Sequence, residues 1–170
     1  LTNSQFKKFK KFFSKKIKLI DCTFDIKSSL KDRIEAIREE TETAVREGST
    51  TLILSDKNIS NQKASIPSIL TVGAVHSHLV KQGLRGYCSL NVECSDALDT
   101  HSFAVLIGVG ATTVNPYLAI DSIYQRFEKK LFGKADFESC VVKFKKSIDA
   151  GLLKIMSKMG ISVISSYRGG

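Results

Sequence analysis

The sequence lacks any long hydrophobic segment, any linker of disordered composition and any repeat of fixed period. None of its apolar runs approaches the roughly 20 residues that a membrane-spanning helix needs. These absences argue against a membrane protein, a repeat protein and a chain of several linked domains. At 170 residues, we expect one domain that buries about 70% of the surface of the unfolded chain.

Cysteine pairs of the metal-binding or redox kind are also missing. No C-x-x-C pair and no secretory signal accompany the four cysteines, Cys22, Cys88, Cys94 and Cys140. We therefore expect reduced, partly buried thiols in an intracellular protein. An iron–sulfur site would need a further cysteine close to Cys88 and Cys94, and none follows before Cys140.

Histidines are few, and their spacing does not predict a metal site. His76 and His78 lie two positions apart on a predicted helix, so they point to different faces and cannot act as a pair of ligands. His101 and Glu93 lie near the ends of predicted strands, but nothing in the spacing makes them converge with the other two. We expect packing and hydrogen-bonding roles for these histidines.

Acidic residues are missing from residues 1–20, which hold seven lysines. The net charge of +9 less these seven leaves +2 for the other 150 residues, so the basic character is local. Phenylalanines at helical spacing oppose the lysines, which predicts a basic amphipathic helix over residues 1–20. Such a helix could bind a nucleic acid or a membrane surface. The interpretation we favour is that its phenylalanines pack on the domain itself.

The most apolar run, Phe103–Val109, predicts a strand buried on both faces, which is typical of parallel sheets. A glycine-rich turn and Asn115-Pro116 follow it and predict the start of a helix. Further strands are predicted at 20–26, 50–55, 87–93 and 160–166, and helices at 30–47, 67–82, 117–131 and 137–159. The fold class is therefore α/β, with buried, mostly parallel strands alternating with helices. The polar stretch 56–65 follows a strand, at the edge where such proteins usually bind ligands.

Gly108 and Gly110, with Thr112 and Thr113, form a glycine-containing loop between the predicted strand and helix. Backbone N–H groups in such a loop can bind a phosphate or the phosphate of a flavin. A dinucleotide fingerprint would need a third glycine at the position of Thr113. The alternative, which we favour, is a glycine turn that allows close packing. From the residues alone, no catalytic or metal-binding residue is predicted.

Six segments are distinctive in combination: TLILSDK (51–57), IPSILTVGAVHSHL (66–79), QGLR (82–85), HSFAVLIGVGA (101–111), NPYLA (115–119) and GLLKIMSKMGIS (151–162). They closely resemble the large chain of glutamate synthase. The resemblance is to the later part of its central domain, between the glutaminase and FMN-binding domains, and it runs in order through the whole chain. The chain begins at Leu1 rather than Met and ends soon after a predicted strand, so we expect a piece of a longer protein.

The resemblance implies a connecting domain of a reductive amidotransferase. In that family a glutaminase domain releases ammonia, which travels inside the protein to an FMN-bearing barrel and reacts there with 2-oxoglutarate. The imine is reduced to glutamate with electrons from NAD(P)H or ferredoxin, relayed through an iron–sulfur cluster. The central domain resembles a partial or reduced (β/α) barrel and is not known to hold flavin. We therefore expect no cofactor in this chain and no activity of the chain alone.

Two departures from the family pattern also argue against catalytic activity in this chain. The family's cluster cysteines follow C-x5-C-x4-C in the flavin domain, whereas here Asp99 stands in the third place after Cys88 and Cys94. The glutaminase nucleophile is an N-terminal cysteine, and Leu1 is not one. Neither half-reaction is expected in this chain.

The expected partners are the glutaminase and FMN domains of the same chain, and the parent would also meet an electron-donating subunit or domain. We expect the junction toward the FMN domain at residues 154–170. The candidate contacts there are Lys154, Met156, Ser157, Lys158 and Arg168. No nucleic-acid or membrane partner is expected, and the location is the cytoplasm or a plastid. The alternatives are an independent FMN- or phosphate-binding half-barrel and a basic module for nucleic acid or membrane surfaces.

Overall fold

The computed structural model describes all 170 residues and is built around a four-stranded parallel sheet. The strands are β1 (Ile17–Asp21), β2 (Thr23–Asp25), β3 (Thr51–Ser55), β4 (Lys63–Ser65), β5 (Ser89–Glu93) and β6 (Thr113–Asn115). The main sheet has the order β1-β3-β5-β6, and β2 and β4 form a separate antiparallel pair. Each main strand thus lies beside the previous one in chain order, as in a (β/α) barrel that has been cut open. The predicted α/β class with parallel strands is confirmed, and the sheet is not closed.

Seven helices accompany the strands: α1 (Asn3–Phe12), α2 (Leu30–Arg46), α3 (Ser68–Lys81), α4 (Thr100–Gly108), α5 (Tyr117–Glu128), α6 (Phe137–Lys158) and α7 (Ile164–Tyr167). The predicted α2 is confirmed with its caps, since the Ser29 hydroxyl accepts a hydrogen bond from the Asp32 N–H and Gly48 follows its end at φ +95°. The predictions of α3, α5 and α6 are also confirmed within a few residues. None of the helices combines the length and the apolar character needed to cross a membrane.

The centre of the sheet is buried on both faces. Every residue of β3 is buried, and so are four of the five residues of β5. Leu52 pairs with Leu90 on one face, and the next pair, Ile53 and Asn91, lies on the other. All four side chains are at most 1% exposed, which explains why the centre of β3, Leu52–Leu54, is apolar on both faces.

The prediction of a strand at Phe103–Val109 is wrong, because Phe103–Gly108 form most of α4 and Val109 follows as its C-cap. Asp99 caps this helix by accepting a hydrogen bond of 2.8 Å from the Ser102 N–H. The helix packs against both α3 and α6, and His101 is its only exposed residue. A helix covered on two sides has no polar stripe, so its periodicity does not distinguish it from a buried strand. The fourth strand of the sheet is β6, immediately after the helix.

The two ends of the chain also differ from prediction. The N-terminal helix stops at Phe12, and from Ile17 the chain pairs with β3 as the edge strand β1. The predicted strand at 160–166 is a turn followed by the short helix α7. A strand needs a neighbouring ladder, and here the chain runs instead along the end of α4, where the Gly169 N–H donates to the Gly108 carbonyl at 3.0 Å.

Candidate functional site

Polar side chains converge at the carboxyl edge of the parallel sheet. β3 ends at Ser55 and continues into Asp56 and Lys57, while the next strand, β5, ends at Glu93. Because the carboxyl ends of parallel strands meet at one edge, these residues become neighbours. This is the edge at which the sequence places the polar stretch 56–65.

Glu93 is the centre of a buried ion-pair network. Its side chain is only 3% exposed, and its carboxylate accepts contacts of 2.9 Å from Lys10 Nζ and 3.0 Å from Lys57 Nζ. The Ser55 hydroxyl donates a further hydrogen bond of 2.8 Å to the same carboxylate. Burial opposes the ionisation of Glu93, but the hydrogen bonds from the two lysines and the serine outweigh it and hold its pKa below the ordinary value. Glu93 is therefore a paired carboxylate and not a free general base.

Asp56 forms a second polar cluster beside this network. The Ser95 N–H and hydroxyl donate to its Oδ2 at 2.9 and 2.6 Å, while its buried Oδ1 has no hydrogen-bond partner. Burial and the negative charge of Asp56 raise the pKa of Tyr117, so the phenol stays protonated. Lys57 Nζ lies 4.9 Å from the centre of the Tyr117 ring, and this cation is therefore shared between Glu93 and an aromatic face.

The chain's own N-terminal helix fills this edge. Phe6 of α1 is buried at 1% exposed, and Lys10, one turn later, reaches Glu93. A separate cavity, bounded by Asp56 and Glu93 among others, measures about 10 Å³, which is room for one water molecule. Of the two interpretations of residues 1–20, the packed helix fits this geometry, although Phe12 at its end is 82% exposed.

The glycine loop lies at the opposite edge of the sheet. Gly108 is the last residue of α4, and Thr113 is the first residue of β6. The phosphate-loop interpretation requires a strand before the loop and a helix after it, whereas here a helix comes first and a strand follows. A helix end offers carbonyl groups rather than N–H groups. The interpretation of this loop as an anion or flavin site therefore loses its structural premise.

Close packing explains the residues of this loop. Gly110 has φ +119°, and a Cβ there would clash with the His76 ring. The Thr112 hydroxyl accepts a hydrogen bond of 3.1 Å from the Leu90 N–H, and the Thr113 hydroxyl donates one of 2.8 Å to Asn91 Oδ1. The loop is a tight connection that ties the start of β6 to β5.

The cysteines stand apart from one another. All four are free, as expected for reduced thiols, and all four are buried rather than partly buried. Cys88 and Cys94 flank β5 at opposite ends, and six strand positions separate them by about 20 Å. That distance does not suit ligands of one iron–sulfur cluster. Burial raises the pKa of both thiols, and it raises that of Cys22 to about 12.

The histidines are also separated. His78 Nε2 lies 2.7 Å from Glu42 and links α3 to α2, while His76 accepts a hydrogen bond from Arg85 at the amino edge of the sheet. His101 is exposed on α4. No three histidine, cysteine or acidic side chains come together in an arrangement that could hold a metal ion.

Of the candidate junction residues, three are exposed on the last turns of α6: Lys154, Ser157 and Lys158. Met156 is only 7% exposed and contributes to the packing of its own domain. Arg168 is half-buried and lines a groove at the amino edge of the sheet. The candidates therefore do not form one surface patch.

The fold and the candidate site together define an open α/β domain. The sheet edge at which such domains usually bind a ligand is filled here by the chain's own N-terminal helix. The sequence profile of the glutamate synthase central domain matches residues 1–170, and the chain belongs to that family. It is 51% identical, over its whole length, to the glutamate synthase [NADPH] large chain of Azospirillum brasilense. Over 99% of its length it is 41% identical to the corresponding chain of Bacillus subtilis, and over 91% it is 40% identical to the chloroplastic ferredoxin-dependent glutamate synthase of Spinacia oleracea.

The chain spans only a small part of these relatives. It covers 11% of the length of the two bacterial proteins and 10% of the spinach protein.

Proposed function

We propose that this chain is a connecting domain within a glutamate synthase and that it holds the parent's active domains in the geometry that their coupled reaction needs. The parent would make glutamate from glutamine-derived ammonia and 2-oxoglutarate by reductive amination. FMN and an iron–sulfur cluster would reside in its other domains. The chain itself would supply no catalytic residue.

The observation that carries this proposal is the filled carboxyl edge of the sheet. In open α/β domains this edge normally binds the ligand, but here Lys10 of α1 pairs with Glu93. The cavity lined by Asp56 and Glu93 measures only about 10 Å³. At this edge the carboxylate of Glu93 is paired with Lys10 and Lys57. Such an arrangement supports a role in rigidity and positioning.

The electron donor, location and partners of the parent follow only by analogy with the relatives. One bacterial relative is named for NADPH and the spinach relative for ferredoxin, so we propose NAD(P)H or ferredoxin as the donor. The spinach protein is named as chloroplastic, and for the present chain we propose the cytoplasm or a plastid. The nearest partners would be the glutaminase and FMN domains of the same chain, with an electron-donating subunit or domain beyond them.

The surface best suited to contact another domain lies at the end of α6 and just after it. Leu153 is 66% exposed, Met159 48% and Val163 53%. Large exposed apolar side chains can mark protein–protein contact sites. Lys154 and Lys158 are exposed in the same segment, and we propose that this segment contributes to the junction toward the FMN domain.

We expect Lys158→Glu in the full-length parent to lower glutamine-dependent glutamate synthesis several-fold while the separately assayed glutaminase activity persists. Reversing a charge at the junction would shift the domains, and small misplacements of reacting groups are costly. The matched control is Lys146→Glu, an exposed lysine three turns earlier on the same helix. The assays are glutamate formation, glutamine hydrolysis and limited proteolysis of the domain boundary. Equal coupling and equal proteolysis in both variants would contradict the junction.

A further inference from the structure

An open groove of about 510 Å³ lies at the amino edge of the sheet, opposite the edge that α1 fills. Its walls carry Arg85, Arg168 and His76 and no carboxylate. Grooves that bind small molecules commonly have volumes of a few hundred Å³. The groove is therefore basic and large enough for a ligand.

Arg85 is held rigidly by neutral acceptors. Its Nε donates to His76 Nδ1 at 3.0 Å, its Nη1 to the Cys88 carbonyl at 2.7 Å and its Nη2 to the Gly110 carbonyl at 2.8 Å. A guanidinium has five N–H groups, so these three bonds leave two donors free. No acidic side chain of the chain forms an ion pair with Arg85 or with Arg168.

Arg168 brings a second unpaired positive charge to the groove. Its Nε is buried and has no hydrogen-bond partner. The residue after it is anchored, since the Gly169 N–H donates to the Gly108 carbonyl at 3.0 Å. Burial lowers the pKa values of both His76 and Arg85. The positive charges of Arg85 and then Arg168 lower the pKa of His76 further, and the charge of Arg168 also lowers that of Arg85.

The neutral imidazole of His76 completes the set of donors. Its Nδ1 accepts the hydrogen bond from Arg85 Nε, which places the single ring proton on Nε2. Neither guanidinium has a negative partner within the chain. An anion with several oxygens would accept hydrogen bonds from both guanidiniums and relieve their repulsion.

We propose that Arg85, Arg168 and His76 form an oxyanion-binding site of the carboxylate or phosphate type. The oxyanion has two conceivable sources, a small anion free in solution or an acidic side chain from another domain of the parent. Only the second source rests on the proposed connecting function. Both sources make the same contacts, so the experiment has an arm for each.

The first arm measures the rate at which phenylglyoxal labels individual arginines of the full-length parent, by peptide mass spectrometry. Arg126, an exposed residue of α5 without an ion pair, is the internal control. If the anion is free, Arg85 and Arg168 react readily in chloride buffer, and glutarate or inorganic phosphate slows both at least five-fold and saturably. In Arg168→Gln the protection of Arg85 is lost. Fast labelling that neither anion slows would overturn the proposal.

The second arm applies if Arg85 and Arg168 react slowly without any added anion. Arg168→Lys then puts a primary amine in the groove, and a water-soluble carbodiimide joins this amine to a contacting carboxylate with loss of water. A cross-linked peptide from another domain supports the acidic side chain as the source, with Arg126→Lys as the control. Slow labelling without a specific cross-link overturns the site. Lys158 does not line the groove, so this failure leaves the coupling prediction for Lys158→Glu intact.

Discussion

Replacing Lys10 and Lys57 together by methionine should destabilise the purified chain by about 3 kcal/mol at pH 7. The change leaves the Glu93 carboxylate, which is 3% exposed, with the Ser55 hydroxyl as its remaining hydrogen-bond donor. An uncompensated buried charge is among the most costly single defects in a folded protein. We expect the lower end of the usual cost of breaking a buried ion pair, because both lysine side chains reach water, with exposures of 35% and 46%. Their attraction to Glu93 is therefore partly screened.

The converse change, Glu93→Gln, should cost less, about 1–2 kcal/mol. It leaves two cations that turn into solvent with little penalty, and the amide still accepts a hydrogen bond from Ser55. The two changes differ in cost because Glu93 is buried, whereas the two lysines lie at the surface. If the two lysines only kept the protein soluble, the double methionine variant would lose less stability than Glu93→Gln, or neither variant would lose any.

The double methionine variant should also differ from the native chain in the dependence of its stability on pH. In the native chain the pKa of Glu93 lies below its ordinary value of 4.5. Its contribution to stability is therefore complete above that value and is lost as the pH falls through the folded pKa. In the double methionine variant, burial without cations raises the folded pKa above the ordinary value. That variant should regain stability as the pH falls toward 5, relative to the native chain.

Urea unfolding at pH 7 and at pH 5 measures both effects, and Lys146→Met, at an exposed position of α6, is the control for loss of a surface lysine. An unchanged midpoint for the double variant at pH 7 would mean that water reaches Glu93 in the folded state. α1 would then not seal the edge, and the main support for the connecting function would be lost.

Local sequence patterns predicted most of the fold but failed at one apolar segment. Leu52–Leu54 and Phe103–Val109 both lack polar residues, and the first lies in a strand while most of the second lies in a helix. The signal that separates them is Asp99, which can accept from the Ser102 N–H and so cap a helix. Helical packing on two sides removed the polar stripe that normally identifies an amphipathic helix.

The candidate site was predictable only in part. The polar residues after β3 and β5 stand at the ends of predicted strands, so their meeting at one edge follows from a parallel sheet. Lys10, which also contacts Glu93 at this edge, lies 83 positions before it in the sequence. It belongs to a helix with several lysines, and the sequence does not show which of them is paired. The same holds for the groove, where Arg168 joins Arg85 because the chain after α6 turns back along α4. Tertiary contacts of this kind have no local signature.

The crossing of α4 and α6 offers a second large effect, at Gly151. A Cβ at this position would lie 2.5 Å from Thr100 Cγ2 and 3.1 Å from Thr100 Cβ. Rotating the threonine side chain moves its Cγ2 but not its Cβ, so the two helices must separate. We expect Gly151→Ala to destabilise the chain by about 1–2 kcal/mol, the cost of overpacking less the gain in helix propensity.

Gly73, in the middle of α3, is the matched control because a Cβ there meets nothing within 4 Å. Gly73→Ala gains helix propensity without a clash and should stabilise the chain by about 0.5–1 kcal/mol. The comparison by urea or thermal unfolding isolates packing from propensity, since both glycines lie inside helices. If both alanines stabilise the chain, α4 and α6 do not cross at Thr100 and Gly151. The interpretation of Phe103–Val109 as part of a helix would then lose a tertiary contact that supports it over the strand predicted from its apolar run.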